Sequence, residues 1–373
     1  MCRVVVGIRN TRWRWLCGTR SLLTVAVTLD NRLPAGQPKA EPSESTRVLH
    51  RSERAVSVVM CVFTEERWQS IVRAVDSLTT QSHPPSEVVV VVDYNASLKH
   101  RLETTFPGLR VIANMHARGL SGGRNTGVEC TRGEIVAFMD DDARAHERWV
   151  AALLAAYEDD SVLGAGGLVL PEWPDDRPPS WFPDEFLWVV GCSYAGQPVT
   201  KSAVRNLLGA NMSFRRTVFE RVGLFRTVIG RNATAMRPMG CEETELCIRI
   251  RSEFPDSRIV YEPLAIVYHN VARSRATWHY FRERCYGEGV SKELVAESVG
   301  ARAALSVERR YVTRTLPRAA FGELSRLISS PGAVHLTRLT ALTVGFIWTV
   351  AGYLSARAVS TNRRWPRARK PGR

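Results

Sequence analysis

The stretch GEIVAFMDDDARA, Gly133 to Ala145, contains the feature that decides how this chain is interpreted. Its apolar run, Ile135 to Met139, has the length of a buried strand and ends directly in three acids, Asp140, Asp141 and Asp142. Like charges this close together repel one another, and burial increases the cost. Because alternate residues of an extended chain point to the same side, we expect Asp140 and Asp142 to converge while Asp141 turns away.

Two convergent carboxylates are suitable ligands for a hard divalent cation, and a bound Mg²⁺ or Mn²⁺ would offset their repulsion. Such an ion could also hold a diphosphate and neutralise its charge as that group leaves. The alternative is a solvated acidic turn, which is common in proteins. His269 follows a later apolar strand and could add a neutral imidazole to the site, although a lone histidine is more often structural.

The chain around this stretch alternates strand-like and helix-like segments from Ala55 onwards. AVSVVMCVF, EVVVVVD, LRVIA and EIVAFMDDD are strand-like, helical patterns separate the first three, and LSGGRNTGVECT is expected to be a glycine-rich loop entering a helix. Wholly apolar strands that alternate with helices predict an α/β fold with a mainly parallel central sheet covered on both faces. Ligands of such sheets bind at the carboxyl ends of the strands, where Asp93 and the three acids lie.

Other polar residues lie where the same ligand could reach them. The carboxylate of Asp93 could accept hydrogen bonds from a base or ribose, or it could simply end a strand in a turn. GLSGGRN, Gly119 to Asn125, could present backbone N–H groups and Arg124 to the ligand. Glu242 and Glu243 begin a predicted helix, where acids favour the helix dipole, and the functional alternative is that one of them is a general base.

The second half of the chain has a less regular pattern. Pro171 to Gly191 is rich in proline, tryptophan and acids and predicts a loop, whereas SRIVYEPLAIVYHN predicts a pair of strands. Ser274 to Ser298 and Arg302 to Ile328 predict arginine-rich helices. Leu339 to Leu354 carries no charge and predicts a helix that spans the membrane or lies in its interface, with a buried core helix as the alternative.

The net charge of +14 is concentrated at the two ends of the chain. Residues 1–54 carry a net +6 and residues 355–373 a net +7, so the body is close to neutral. A neutral body argues against a nucleic-acid-binding protein, and a basic tail would suit anionic lipid. We predict a basic, disordered leader over residues 1–54, a helical extension over 296–335, a membrane-associated or transmembrane helix over 336–358 and a basic tail over 359–373.

Taken together, these segments resemble family 2 glycosyltransferases with the GT-A fold, over about Val56 to Lys292. The matching pieces are SVVMCVFTEER, EVVVVVDYN, GLSGGRNTG, GEIVAFMDDDA, GANMSFRR and CEETELCIR, in that order. PEWPDDRPPSWFPDEFLWVVG and YGEGVSK are similar to segments of the archaeal-type glucosyl-dolichyl-phosphate glucuronosyltransferases. The resemblance implies a GT-A domain over residues 55–295, followed by the helical C-terminal extension.

The resemblance also implies a role for each candidate residue. Glu243, or its neighbour Glu242, would be the catalytic base. The metal would be bound by Asp142 with Asp140 and His269. The nucleotide sugar would contact Asp93, Arg124, Asp140, Asp141, Arg273 and Arg284, and the acceptor would contact Trp188 and Asn211.

The implied enzyme is a metal-dependent inverting glycosyltransferase that uses Mn²⁺ or Mg²⁺. It would move a sugar from a nucleotide-diphosphate donor, by default a UDP-sugar, to a saccharide linked to polyprenyl phosphate at the cytoplasmic face of the cell membrane. One alternative is transfer to a soluble or cell-wall glycan. Two further alternatives are a non-catalytic nucleotide-sugar-binding scaffold with the same fold and a nucleotidyltransferase, which would release pyrophosphate instead of UDP.

Overall fold

The computed structural model describes residues 54–230 and 239–362, with side chains as far as Ser360. Most of the predicted leader and most of the predicted basic tail lie outside the described residues. Within these residues nine strands form one sheet. The strands are β1 Val56–Val62, β2 Glu87–Val92, β3 Arg110–Ala113, β4 Ile135–Asp140, β5 Ala143–Ala145, β6 Val162–Glu172, β7 Ser202–Ala203, β8 Met212–Arg215 and β9 Arg258–Asn270.

The order of the strands brings the predicted ligand-binding residues to one edge of the sheet. The order is β3-β2-β1-β4-β8-β6-β9-β5, and β7 pairs with β9. The predicted parallel arrangement holds from β3 to β4. Beyond β4 the sheet becomes mixed, because β8 is antiparallel to both β4 and β6, whereas β6 and β9 are parallel. Asp93 and Asp140 therefore lie at the same carboxyl edge, at the ends of β2 and β4.

Helices cover both faces of the sheet and continue beyond it as the predicted C-terminal extension. Short 3₁₀ helices span Glu65–Arg67, Asp184–Val190 and Arg273–Arg275, and a π-helical turn spans Tyr311–Thr315. The α-helices are α1 Trp68–Thr79, α2 Ala96–Thr105, α3 Leu120–Cys130, α4 Trp149–Ala156, α5 Arg216–Val222, α6 Glu242–Glu253, α7 Trp278–Val299, α8 Ala301–Ala304, α9 Ser306–Arg310, α10 Leu316–Ser329 and α11 Ala333–Asn362.

The predicted glycine-rich loop is instead the buried helix α3. A Cβ atom on Gly122 would lie 1.9 Å from a backbone carbonyl oxygen of the preceding turn, and one on Gly127 would lie 2.2 Å from the Val59 side chain. The glycines are therefore needed for close packing of α3 on the sheet and not for a flexible turn. This packing places the Arg124 side chain, which is 2% exposed, beneath the strand ends.

The predicted strand pair SRIVYEPLAIVYHN is a single strand, β9. Its parallel register with β6 shifts between Gly167 and Val169, where β9 advances from Glu262 to Val267. Pro263 lies in that irregularity, where its missing N–H group removes no ladder hydrogen bond. The strand bends there and continues, so its last residues reach β5 at the site edge.

The segment Pro171 to Gly191, predicted as a loop, is fixed by its aromatic side chains. Its first residues end β6, and a 3₁₀ helix occupies Asp184–Val190. Phe182 is buried, and the Trp181 ring stacks on Trp278 of α7 with centroids 4.3 Å apart. Because large rings gain most from leaving water, the segment packs onto α7 as part of a hydrophobic cluster.

The C-terminal helices pack on the rest of the fold through α7. A Cβ atom on Gly289 of α7 would lie 2.0 Å from the Thr349 carbonyl oxygen of α11, and one on Gly352 would lie 2.1 Å from the Tyr286 carbonyl oxygen. These two close approaches fix α11 along α7. Among the described residues, Ala333–Ser360 is the one helix long and apolar enough to cross a membrane, with a mean hydropathy of 1.5.

Candidate active site

The register between β5 and β9 assembles the predicted metal site. Ala143 pairs with His269 in an antiparallel ladder, and the Asn270 N–H donates to the Asp142 carbonyl oxygen at 2.8 Å. This pairing brings one potential ligand atom each of Asp140, Asp142 and His269 within 4.8 Å of one another. The His269 Nε2 atom lies 3.2 Å from Asp142 Oδ1. Two carboxylates and one imidazole at this spacing fit a divalent cation, which agrees with the expected convergence of Asp140 and Asp142.

Two arginines neutralise the charge of these acids. Neither was predicted from the sequence to lie at the site. Arg67 Nη1 lies 2.6 Å from Asp141 Oδ1 and 3.2 Å from Asp142 Oδ2, and Arg275 Nη2 lies 3.3 Å from Asp142 Oδ2. Burial opposes ionisation of Asp142, but His269 and the two arginines hold its pKa well below the usual range. Burial would likewise lower the pKa of His269, but Asp142 raises it to about 10.

Asp141 and Asp142 form the turn between β4 and β5, so the expected strand alternation does not extend to them, and both contact Arg67. Asp141 is buried, and burial raises its pKa even though Arg67 favours the charged form. Its contact with Arg67, the residue directly before α1, ties the start of that helix to the end of β4. Asp141 therefore contributes to the site by orienting Arg67.

Arg124 connects the strand-end acids to helix α6. Its Nη1 donates to Glu242 Oε1 at 2.7 Å, and its Nη2 lies 3.4 Å from Asp140 Oδ1 and 3.2 Å from the Gly209 carbonyl oxygen. Both side chains of the Arg124–Glu242 pair are almost fully buried. Glu242 Oε1 is thus committed to Arg124, while Oε2 is buried without a partner among the described residues.

Glu243 has a different environment although it is the next residue. It begins the same helix, is half-buried, and accepts a hydrogen bond from the Thr244 hydroxyl at 3.2 Å. Burial and the neighbouring Glu242 carboxylate raise its pKa to about 7. A carboxylate with that pKa, on the wall of a cavity, can exchange a proton near neutral pH. The preceding Cys241 takes a left-handed conformation at φ 75°, which sets the turn into the helix.

Asp93 is hydrogen-bonded within the chain at the end of β2. Both of its carboxylate oxygens accept from the Gly119 N–H, at 3.0 and 3.2 Å, and Oδ1 accepts from Asn114 Nδ2 at 2.7 Å. It therefore fixes the turn that leads into α3. The structure places it at the predicted edge but not among the residues that line the cavity described below.

Two predicted site residues do not lie where they could contact the donor or acceptor that the resemblance implied. Arg273 is exposed and pairs with Asp175 at 2.6 Å, because the 3₁₀ turn points Arg275, not Arg273, toward Asp142. Asn211 is completely buried, and its amide accepts from Trp149 Nε1 at 2.8 Å and donates to the Ala265 carbonyl oxygen at 2.7 Å. Asn211 thus holds the sheet and helix α4 together instead of facing an acceptor.

A cavity of about 560 Å³ adjoins these acids. Its lining includes Asp140, Glu242 and Glu243. Side chains of the C-terminal helices form another wall, which includes the apolar Leu316, Phe346 and Val350 besides polar and charged groups. Trp188 and Arg284 also line the cavity. The Trp188 indole donates to the Tyr311 hydroxyl at 3.3 Å, and the Arg284 guanidinium lies 5.7 Å from the Trp188 ring centroid. Arg284 thus faces the cavity and is separate from Arg67 and Arg275, the arginines that contact Asp142.

Known proteins resemble this chain in sequence and in fold. A family model described as glycosyl transferase family 2 matches residues 57–223. Glucosyl-dolichyl phosphate glucuronosyltransferase of Haloferax volcanii is 32% identical over 300 residues, which cover 79% of this chain and 93% of that protein. Glycosyltransferase AglE of the same organism is 26% identical over 176 residues, 46% of this chain and 55% of that protein.

Mannosyltransferase PcManGT of Pyrobaculum calidifontis, solved in complex with GDP-Man and Mn²⁺, superimposes with a TM-score of 0.52 at 17% identity. The superposition covers 82% of this chain and 88% of that one, which confirms the predicted GT-A fold. The sequence match to the Haloferax volcanii enzyme over most of both chains confirms that the protein is a glycosyltransferase. The chain belongs to glycosyltransferase family 2.

Proposed function

We propose that this enzyme is a metal-dependent inverting glycosyltransferase that moves a sugar from a nucleotide-diphosphate donor to a saccharide linked to polyprenyl phosphate. The observation that carries the proposal is one cavity that is lined both by Asp140 and Glu243 and by apolar side chains of the C-terminal helices. The carboxylates are suited to metal binding and proton transfer, and the apolar side chains are suited to the hydrocarbon chain of a lipid. The name of the Haloferax volcanii relative, a glucosyl-dolichyl phosphate glucuronosyltransferase, supports this acceptor class. A UDP-sugar is the default donor.

The reaction we propose is a single displacement. Glu243 takes the proton of the acceptor hydroxyl as that oxygen attacks the anomeric carbon of the donor sugar. The nucleoside diphosphate leaves from the face of the anomeric carbon opposite to the attacking oxygen, so the anomeric configuration inverts. Glu242 remains paired with Arg124 and positions the start of α6.

The residues at the strand ends would act on the leaving group. Asp140, Asp142 and His269 would hold Mn²⁺ or Mg²⁺, which when bound supplies positive charge to the departing diphosphate. Arg67 and Arg275 lie beside Asp142 and would offer further guanidinium donors to phosphate oxygens. Asp93, at the end of β2, would face the nucleoside side of the donor.

The C-terminal helices would hold the enzyme on the cytoplasmic face of the membrane. Large apolar side chains are exposed on α10 and α11, including Phe321, Ile328 and Ile347 at 73%, 75% and 55%. Exposed arginines accompany them on α9 and α10, which suits anionic lipid. Because α11 packs along the charged helix α7, we propose that it lies in the interface and does not cross the bilayer.

The test is to identify the product. Purified enzyme with Mn²⁺, a panel of nucleotide sugars and a synthetic glucosyl prenyl phosphate should yield one donor whose sugar appears on the lipid. Proton NMR of the product should show an anomeric configuration opposite to that of the donor. A product that keeps the donor configuration would rule out the single displacement. Transfer only to a water-soluble glycan would rule out the lipid-linked acceptor.

A further inference from the structure

A second group of charged side chains lies in the cavity and has no part in the displacement described above. Arg284, Glu288 and Lys292 are spaced one helical turn apart on α7 and all line the cavity. Arg284 Nη1 donates to Glu288 Oε2 at 2.8 Å. Lys292 Nζ lies 3.2 Å from Glu288 Oε1 and 2.8 Å from Glu308 Oε1 on α9.

Arg205 completes the group and leaves it with an excess of positive charge. It forms two hydrogen bonds with Glu308, at 2.5 and 2.8 Å. The group thus holds three cations and two carboxylates, and the three cationic side chains are only 7–12% exposed. Burial raises the pKa of the adjoining Cys241 thiol well above its ordinary value, so this thiol adds no negative charge. Since an uncompensated buried charge is costly, this arrangement favours an anionic ligand.

Contacts connect the group both to the residue before α6 and to α9 of the C-terminal helices. The Cys241 thiol donates to Glu288 Oε1 at 3.2 Å, and Cys241 is only two residues before Glu243. Leu316, Phe346 and Val350 of the C-terminal helices also line the cavity. The cavity therefore presents a proton acceptor, a cationic group and an apolar surface.

We propose that Arg205, Arg284 and Lys292 bind the phosphate of the acceptor. The proposal rests on the proposed function and deepens it by assigning the acceptor's three parts to three parts of the cavity. The sugar hydroxyl would reach Glu243, the phosphate would accept hydrogen bonds from the cationic group, and the prenyl chain would lie along the apolar wall. Arg284, which the resemblance placed near the donor diphosphate, is thereby assigned to the acceptor.

The kinetic test compares acceptors with and without the phosphate. Geranyl phosphoglucose and geranyl glucoside differ in that group alone. Wild-type enzyme should prefer the phosphorylated acceptor in kcat/KM by roughly tenfold or more, as expected for lost hydrogen bonds to a charged group. In Arg284→Gln and Lys292→Gln the preference should fall below about threefold. Arg282→Gln is the matched control, because Arg282 is exposed on the same helix and does not line the cavity.

A variant that increases the net positive charge of the group distinguishes phosphate binding from a structural role. Glu288→Gln removes a carboxylate from the group, so it should strengthen geranyl phosphate binding, measured by calorimetry without donor. A structural role alone predicts weaker binding in every variant, and that result would overturn the proposal, as would an unaltered acceptor preference in Arg284→Gln. Glucose 1-phosphate binding as tightly as geranyl phosphate would overturn the assignment to a lipid.

The binding measurement also separates this proposal from the proposed function. If wild-type enzyme transfers sugar to none of the acceptors but binds geranyl phosphate, and Arg284→Gln loses that binding, the phosphate site stands and the transfer reaction is wrong. If the wild type transfers sugar with no preference for phosphate, the transfer reaction stands and the phosphate site is wrong.

Discussion

Arg124 Nη1 lies 2.7 Å from Glu242 Oε1, in a pair whose two side chains are almost completely buried. This contact distinguishes two adjacent glutamates, of which the resemblance favoured Glu243 as the base and left Glu242 as the alternative. Both line the cavity, but Glu242 is held by a buried guanidinium, whereas Glu243 is half-buried and has a raised pKa. We therefore assign the structural role to Glu242 and the proton-accepting role to Glu243.

The two glutamates should differ in their effect on stability. Glu242→Gln removes the closer and more deeply buried of the two carboxylates beside Arg124 and should lower the free energy of unfolding by about 3 kcal/mol. Glu243→Gln removes a charge that burial disfavours and should leave stability unchanged or raised. Urea unfolding of the two variants measures both effects. Equal destabilisation by the two substitutions would contradict the assignment.

Activity should depend on pH through Glu243. Its pKa is raised from 4.5 to about 7, and only the deprotonated carboxylate accepts a proton, so kcat/KM should rise with pH up to about 7 and then level. The linked effect on stability has the opposite sign. The bound proton favours the folded state below pH 4.5, and this contribution is lost as pH rises through 7. Unfolding of wild type and Glu243→Gln across this range should show their stabilities diverging.

Metal binding should stabilise the fold and require the three predicted ligands. Mn²⁺ at about 100 times its Kd should add roughly 2.7 kcal/mol to the free energy of unfolding. Asp142→Asn, Asp140→Asn and His269→Gln should each weaken this effect, and chelation with EDTA should stop nucleoside diphosphate release. Asp175→Asn serves as the control, since Asp175 is exposed and paired with Arg273. Full Mn²⁺ stabilisation of Asp142→Asn would contradict the proposed site.

The two arginines of the turn before α7 should behave differently. Arg275→Ala removes a buried guanidinium 3.3 Å from Asp142 and should raise the donor KM by roughly tenfold or more. Arg273→Ala removes an exposed ion pair, which contributes about 0–1 kcal/mol, and should change the donor KM little. Steady-state kinetics with varied donor concentration measures the donor KM of both variants. A larger increase in Arg273→Ala than in Arg275→Ala would support the role that the resemblance gave to Arg273.

Membrane binding should depend on the exposed apolar side chains of α10. Phe321→Glu combined with Ile328→Glu should reduce binding to anionic phospholipid vesicles at least tenfold, because each large apolar side chain contributes about 1.5–3 kcal/mol when it leaves water. Vesicle sedimentation measures the change. Leu264→Glu is the matched control, since Leu264 is 62% exposed on β9, away from the C-terminal helices. Equal losses in both variants would argue against α10 as the contact.

Local patterns predicted some features of the site, and long-range packing decided the others. The sequence predicted the convergence of Asp140 and Asp142, but the turn after β4 produces it and not alternation along a strand. The local pattern of LSGGRNTGVECT did not reveal its role. The close approach to Val59, which is remote in sequence, shows that its glycines permit helix packing. The choice of Arg275 over Arg273 depends on a single 3₁₀ turn.

Burial explains the remaining differences between expectation and structure. Asn211 was predicted near the acceptor, but its amide is used by Trp149 and the Ala265 carbonyl, partners remote in sequence. Arg67 gave no signal beyond a basic residue before a helix, since its acidic partners come more than seventy residues later. The cavity wall formed by the C-terminal helices likewise depends on how α11 packs along α7, which no local pattern records.

We propose that Glu243 is the base of a metal-dependent transfer to a lipid-linked acceptor. The most direct test measures nucleoside diphosphate release with Mn²⁺ and the glucosyl prenyl phosphate, comparing wild type with Glu243→Gln. We expect release that the acceptor stimulates in the wild type, and a fall in kcat of about 10²–10⁴-fold in the variant while donor binding persists. Acceptor-stimulated release at the wild-type rate in Glu243→Gln would contradict this proposal.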